Sequence, residues 1–405
     1  MYNQALNERH WKVDWLLLLA LLGLMVVGTA FIHSARHATE TSLQLPWFKQ
    51  LFFKQLVWYA LGAAGMFAVS LVDYQTLARW SLVVYWAAII TLVLVLIPHI
   101  GASRYGARRW IDFGFFQFQP SEFAKLAFIL AMANFLSRPQ DELKQPEVFF
   151  RALGLLALPF LLILVEPDLG SALVLLPVGL VMLFIGGAPR KFLGVLVLGS
   201  ALIVALFLVD ILFAPPNWRM KLENYQRERL LVYFNRDFRD YASPGATPVE
   251  LKRLQEQQRT ASYSVVQALI AVGSGGLTVK GWKQGTQIAL GYLPRGVAHN
   301  DFIFSVIAEE SGFVGSVVVL TLYAVVLFSG IRIAGQARDR LGKLLAVGVV
   351  TLLFSHVFIN IGMNIRLMPV TGVPLPLLSY GGSSVLCSMI AAGLLQSVYL
   401  HRRSY

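Results

Sequence analysis

Ten apolar runs of spanning length punctuate the chain, at roughly 14–34, 55–72, 80–99, 119–136, 150–165, 169–187, 192–214, 302–331, 343–364 and 381–400. A hydrocarbon layer about 30 Å thick is crossed by about 20 helical residues, so each run predicts a membrane helix. The fifth run is short, and Glu166 and Asp168 at its end stop it at the interface. One long segment does not span, about Pro215–Asn300, between the seventh and eighth runs. It opens on Pro215 and Pro216 and stays highly charged through Arg259. Tyr225–Tyr233 predicts an interfacial helix. Asp237–Arg259, with Pro244, Gly245 and Pro248, reads as a mobile insertion. Tyr263–Val272 predicts a further helix, broken by Gly273, Ser274, Gly275 and Gly276. The expected fold is therefore all-α and polytopic. It has about ten transmembrane helices in one domain over residues 1–405, with a large extracytoplasmic loop at 215–300.

Composition agrees with a hydrocarbon solvent. Of 405 residues, 57% are hydrophobic and 14% charged, where soluble domains carry about a quarter charged. The single cysteine, Cys387, lies in an apolar run, so no disulfide framework exists. Topology and anionic lipid headgroups account for the +12 formal charge without nucleic acid. Polar Met1–Lys12 leads into Trp15–His33 with no small-residue cleavage site, so this run is read as the first span and not as a cleaved signal. Ten spans put both termini on one side. Short loops on that side carry fourteen Lys and Arg against seven opposite, which predicts cytoplasmic termini and an extracytoplasmic large loop. Three of the seven exceptions, Arg104, Arg108 and Arg109, share the loop Gly101–Gln119.

Ionisable groups in membrane segments are costly and face cavities or one another. Here they gather in five places near the outer ends of spans. The first is Arg108-Arg109-Trp110-Ile111-Asp112, followed by Gln119-Pro120-Ser121-Glu122 and Lys125. Pro120 suits a first helical turn, with Ser121 or Gln119 as cap, and Glu122 and Lys125 share a helix face. The stretch reads as a capped helix with a local ion pair, or as an anion site where guanidinium groups and a helix N-terminus face a phosphate. The second, Glu166-Pro167-Asp168-Leu169-Gly170, flanks a proline with two carboxylates. Asp168 is read as the cap of the next helix, and Glu166 as holding a cation or a buried lysine such as Lys125. The third, GSGGLTVKGWKQGTQ over Gly273–Gln287, lets backbone amides approach a ligand, or is simply a flexible turn. It lacks the GK[ST] of a Walker loop.

The fourth is His299-Asn300-Asp301, leading into the eighth run with Glu309 and Glu310 inside it. Spacing favours Asp301 as an N-cap over a general base at the water–membrane boundary. The fifth is Asn360, Gly362, Asn364 and Arg366, then PVTGVPLPLLSYGGSS over residues 369–384. Three prolines and three glycines exclude a plain helix there, and irregular backbone at membrane depth is tolerated only inside protein or along a cavity.

In order, these motifs resemble the SEDS family (shape, elongation, division and sporulation), to which RodA and FtsW belong. The resemblance is carried by RRWIDFG at 108–114, QPSEFAK at 119–125, EPDLGSA at 166–172, GSGGL at 273–277, KGWKQGTQ at 280–287, YLP at 292–294, HNDFIFSVIAEE at 299–310 and the 369–384 run, so it covers nearly the whole chain. GTQ followed by GYLP, and an end soon after the last span, resemble RodA more than FtsW. The charged stretch Asp237–Arg259 exceeds what a short RodA-like loop carries.

The resemblance implies a peptidoglycan glycosyltransferase of the bacterial inner membrane, polymerising lipid II during cell-wall elongation and cell-shape maintenance. Transfer to the 4-hydroxyl of another unit's N-acetylglucosamine turns an α-linked donor into a β bond, so the reaction inverts. The implied partner is a class B penicillin-binding protein whose transpeptidase crosslinks the strands. The family's essential aspartate falls at Asp301, which reverses the cap reading. It would act as general base, or as ligand of a divalent cation (Mg or Mn) on the diphosphate. Arg108, Arg109 and Lys125 would stabilise that leaving group. Trp110, Glu122, Glu166, Lys280, Gln287, His299 and Ser379 are implied as cavity or support residues. A lipid II flippase is the alternative, and a non-catalytic scaffold a third reading. A transporter needs access from both sides, whereas the unusual residues here collect on one face.

Overall fold

The structure is a computed structural model that describes residues 13–37, 46–104, 107–114, 116–213, 224–242, 247–277, 279–294 and 296–403. The sequence readings that involve Met1–Lys12, Pro215, Pro216, Pro244 and Gly245 lie outside these residues. Each predicted apolar run is a helix. In chain order the first seven are α1 (Trp15–His37), α2 (Leu51–Leu71), α3 (Ser81–Leu96), α4 (Pro120–Leu136), α5 (Pro146–Val165), α6 (Leu169–Ile185) and α7 (Arg190–Phe213). The large loop supplies α8 (Asn224–Tyr233) and α9 (Pro248–Ser274). The last three runs are α10 (Ile303–Gln336), α11 (Arg340–Asn364) and α12 (Gly382–Leu400).

Among the described residues, seven helices are long and apolar enough to cross a membrane: α1, α2, α5, α7, α10, α11 and α12. Helices α3 and α6 are apolar but shorter. The protein is a multi-pass, mainly helical membrane protein. Helix α4, whose first two turns carry Glu122 and Lys125, is buried along most of its length. A helix enclosed by other helices is matched to its protein neighbours and not to lipid. Helix α12 packs along α2, while α10 lies against α11 and α1. Helix α7 is the outlier, with only Leu193 and Ile211 buried.

Two elements depart from the sequence reading. A three-stranded antiparallel sheet forms before α4, from β1 (Gly101–Arg104), β2 (Ala107–Asp112) and β3 (Gln117–Phe118). Its register pairs Ala102 with Trp110 and Asp112 with Gln117. Strands this short are invisible to a search for spanning runs. The stretch read as a mobile insertion is largely ordered. Phe238–Tyr241 is a 3₁₀ turn, and α9 runs unbroken from Pro248. The cause is a capping box: the Thr247 hydroxyl accepts from the Glu250 N–H at 3.3 Å, and the Glu250 carboxylate accepts from the Thr247 N–H at 2.8 Å. Pro248 then sits at the first helical position, where its missing N–H costs nothing.

Helix α10 is broken at Gly312, whose φ of 64° suits glycine. The groups released there bind the preceding loop. Gly281 N–H donates to Glu310 O at 3.1 Å, and Phe313 N–H donates to Gly276 O at 2.9 Å.

Candidate active site

Helix α10 begins at Ile303 with Phe302 as its N-cap residue, so Asp301 is not the cap. Its main chain is held from two sides. Asp301 N–H donates to Val297 O at 3.0 Å. Its carbonyl accepts from Asn360 Nδ2 and Asn364 Nδ2, each at 3.1 Å. Asn364 is fixed in turn, because its Oδ1 accepts from the Ser305 hydroxyl at 2.6 Å and the Ser305 N–H at 3.2 Å. Asn360 also donates to Val373 O at 2.7 Å. Two amides on successive turns of α11 thus grip the backbone of residue 301 and leave the carboxylate to face a cavity.

That cavity, about 140 Å³, is roofed by α8 and α9 and floored by Val297, Asp301 and Phe302. The segment Arg366–Val370 closes its side. Arg229 on α8 points into it and donates to Val370 O at 3.2 Å. A Cβ built on Gly372 (φ +74°) would lie 3.8 Å from Asp301 Oδ2 and 4.0 Å from Arg229 Nη1, which places carboxylate and guanidinium around one spot. Burial pushes the Asp301 carboxyl up to about 6, against the downward pull of Arg229 and then Arg109. A carboxyl with that value is ionised at neutral pH yet basic enough to accept a proton.

The other sequence-predicted residues divide by location. Arg109 reaches from β2 to Pro167 O and lies 3.9 Å from Asp168. Asp168 caps α6 by accepting from the Ser171 N–H at 3.2 Å, as expected. Arg108 is exposed and Trp110 half-buried on the same strand. Lys125 does not reach Glu166. It is 1% exposed and donates to Glu122 at 2.7 Å and to His356 Nε2 at 2.8 Å. Its charge is spent inside the bundle and not at the cavity. Since a lysine only donates, Nε2 of His356 must accept, and Nδ1–H donates to Leu352 O at 3.0 Å. Lys280 pairs with Glu309 at 3.1 Å, and Gln287 N–H donates to the same carboxylate at 3.0 Å. Both tie the glycine-rich loop to α10. His299 is buried with its ring 5.7 Å from Tyr380, and Ser379 donates to Asn300 O at 2.6 Å. These two brace the loop that carries Asp301.

Among the described residues no three His, Cys, Asp or Glu side chains come together, and the charges acting on Asp301 are arginines. Arginine neighbours suit an anion.

The FtsW/RodA/SpoVE family model, described as a cell cycle protein, matches residues 14–404. The chain belongs to the FtsW/RodA/SpoVE family. It is 35% identical to the peptidoglycan glycosyltransferase MrdB of Escherichia coli (strain K12) over 393 residues, 96% of this chain and 94% of that one. It is 36% identical to the stage V sporulation protein E of Bacillus subtilis (strain 168), covering 98% and 100%. Among solved structures it resembles a chain of a peptidoglycan synthase complex described as coordinating polymerisation and crosslinking, with TM-score 0.73, 28% identity and coverage of 97% and 99%. The crystal structure of RodA from Thermus thermophilus gives 0.64, 28%, 97% and 98%.

Within this family member, sequence reasoning missed three features. Arg229 lay in a charged loop with nothing to single it out. Asn360 and Asn364 were noted, but their spacing of four was not read as a clamp. His356 is a lone histidine in an apolar run, and only the packing of α11 on α4 reveals its partner.

Glu166, just past α5, is fully buried, and neither carboxylate oxygen has a hydrogen-bond partner among the described residues. Burial first, then the Asp168 charge, pushes it from 4.5 to about 9, with Arg109 opposing. It is therefore protonated in the folded protein at neutral pH. Folding must take up this proton, so its share of stability is full below about pH 4.5 and is lost as pH rises to about 9. Glu166→Gln is expected to raise the thermal midpoint at pH 8 and leave it nearly unchanged at pH 5. An equal shift at both values would contradict this.

Proposed function

We propose that the chain is a RodA-like peptidoglycan glycosyltransferase that polymerises lipid II, with Asp301 as the general base. The observation that carries this is Asp301 itself: a carboxylate held near pKa 6, backbone-clamped, at the floor of a cavity with Arg229 and Arg366. The names of relatives at about 35% identity support the reaction class.

The acceptor 4-hydroxyl attacks the anomeric carbon of the donor from the face opposite the diphosphate. The new carbon–oxygen bond forms as the bond to the diphosphate oxygen breaks, and the configuration inverts. The hydroxyl proton passes to Asp301, and the diphosphate leaves with the bonding electron pair. Arg229, Arg366 and Arg109 supply positive charge where negative charge develops. A divalent cation in this reaction would be held mainly by the diphosphate, since Asp301 is the one carboxylate lining the cavity among the described residues. A class B penicillin-binding protein fits as the partner that crosslinks the product. The reading places the cavity on the outer face of the bacterial inner membrane, with both termini cytoplasmic.

The flippase alternative is less supported. The ionisable groups deeper in the bundle, Glu122, Lys125 and His356, are closed on one another and do not line a polar path. The test is purified protein with its partner synthase, supplied with labelled lipid II and Mg. Glycan strands support the enzyme. Translocation of lipid II in liposomes without strands would support the flippase instead.

Arg229→Gln is expected to lower the polymerisation rate by about 10²–10³-fold, the scale of a lost transition-state donor. It also removes a downward pull on Asp301, so the pH at half-maximal rate moves up. A rate loss with an unmoved profile would place Arg229 away from the carboxylate.

A further inference from the structure

A second cavity, about 460 Å³, lies between the C-terminal half of α1 and the N-terminal half of α2, at the same end of the bundle as Asp301. Its deeper wall is aliphatic, with Leu22, Val26 and Leu56. Trp282, from the large loop, forms its roof. That roof is a built feature. The Trp282 indole N–H donates to Ala30 O at 3.1 Å, and its ring lies 5.9 Å from that of His33. The next residue is pinned as well, because Lys283 N–H donates to the Glu310 carboxylate at 3.1 Å. The groove is thus apolar towards the membrane interior and cationic at its mouth, where Lys283 Nζ sits 4.4 Å from the Trp282 ring centre. This polarity matches a hydrocarbon chain that ends in a phosphate group.

Beyond the groove, the outer end of α1 packs on the loop that carries Asp301: Ala35 is buried in one cluster with Ala298 and Phe302. Burial pushes the Tyr380 hydroxyl up, and the charge of Arg36, one turn beyond Ile32 on α1, opposes that rise. The Tyr380 ring meets His299, and Tyr380 N–H donates to His299 O at 2.9 Å. Asp301 follows two residues later. Two cationic approaches therefore flank Asp301. One is the arginine cavity directly beside it. The other lies across Tyr380 and His299.

We infer that the α1–α2 groove seats the prenyl chain of the acceptor, and that the arginine cavity takes the donor diphosphate; this rests on the glycosyltransferase reading above. The chemistry of the two substrates separates the sites. The donor's diphosphate is bonded to the reacting carbon and must lie next to the base. The acceptor's reacting hydroxyl is on the sugar farther from its own diphosphate, so that diphosphate sits about one disaccharide away. The arginines adjoining Asp301 fit the first condition. Lys283, His33 and Arg36 fit the second.

The test measures the two substrates separately. A labelled lipid II lacking the 4-hydroxyl serves only as donor, and a lipid II with a phosphonate in place of the anomeric oxygen serves only as acceptor. With the full-length protein and its partner synthase, Val26→Trp fills the groove. It is expected to raise KM for the phosphonate acceptor about tenfold, with kcat and the donor KM unchanged, as loss of uniform binding requires. Trp282→Ala, which removes the roof while leaving the contacts between α1 and α2 in place, should move the acceptor KM in the same direction. A rise in the donor KM, or acceptor KM values unchanged in both variants, overturns the assignment. Transfer by the unaltered protein is recorded in the same preparation. If it transfers and the acceptor KM does not move, only the groove assignment fails. If it does not transfer, the glycosyltransferase reading fails and takes this inference with it.

Discussion

Replacing Asp301 with asparagine is expected to lower glycan polymerisation by about 10²–10⁴-fold, the usual contribution of a positioned general base. The substitution is nearly isosteric, and the fold does not depend on the carboxylate. Asn360 and Asn364 grip the carbonyl of residue 301 and not its side chain, and α10 starts from Phe302 without a side-chain cap. Folded yield and thermal midpoint should therefore stay close to those of the unaltered protein while strands disappear. Asparagine keeps the shape and the polarity but cannot take the proton. The readout is strand length and amount from labelled lipid II, beside a melting curve of the same sample.

The second large effect concerns stability. Lys125→Met leaves Glu122, 3% exposed, as a buried carboxylate without its cation. Breaking one partner of a buried pair costs about 3–5 kcal/mol. His356 Nε2 also loses its donor. The variant is expected to melt well below the unaltered protein in detergent and to give little folded material. Adding Glu122→Gln removes the uncompensated charge, so the double variant should recover most of the loss. A double variant as unstable as the single one would show that packing around the lysine stem, and not charge, sets the cost.

These two residues also mark how far the sequence reaches. The i, i+3 spacing of Glu122 and Lys125 on one helix face was readable, and the pair forms. Its depth was not readable. Hydropathy locates the runs but gives no order of enclosure, so the residues alone leave a local ion pair and an anion site both open for Lys125, and only the packing shows it inside the bundle. The ten runs were legible because apolar length is a local property. The sheet of β1–β3 was not, because its strands have no run length to detect.

Thr247-Pro248-Val249-Glu250 carried a complete capping signature, yet the surrounding charge and prolines drew the reading towards disorder. Asp301 illustrates the opposite case. Local spacing favoured a cap, and only the ordered motifs and then the geometry moved it to the cavity floor. Arg229 needed tertiary structure outright. It is some seventy positions earlier in the chain, and nothing local says that α8 folds over residue 301.

The pH dependence of lipid II polymerisation under single-turnover conditions reads the protonation of Asp301 directly. If Asp301 takes the proton, the rate follows its ionised form. It should rise through a single step centred near pH 6 and level off above it, with the residual rate of Asp301→Asn showing no such step. A rate independent of pH between about 5 and 8 in the unaltered protein, or an Asp301→Asn variant that keeps both the step and the rate, would contradict the role given to this carboxylate.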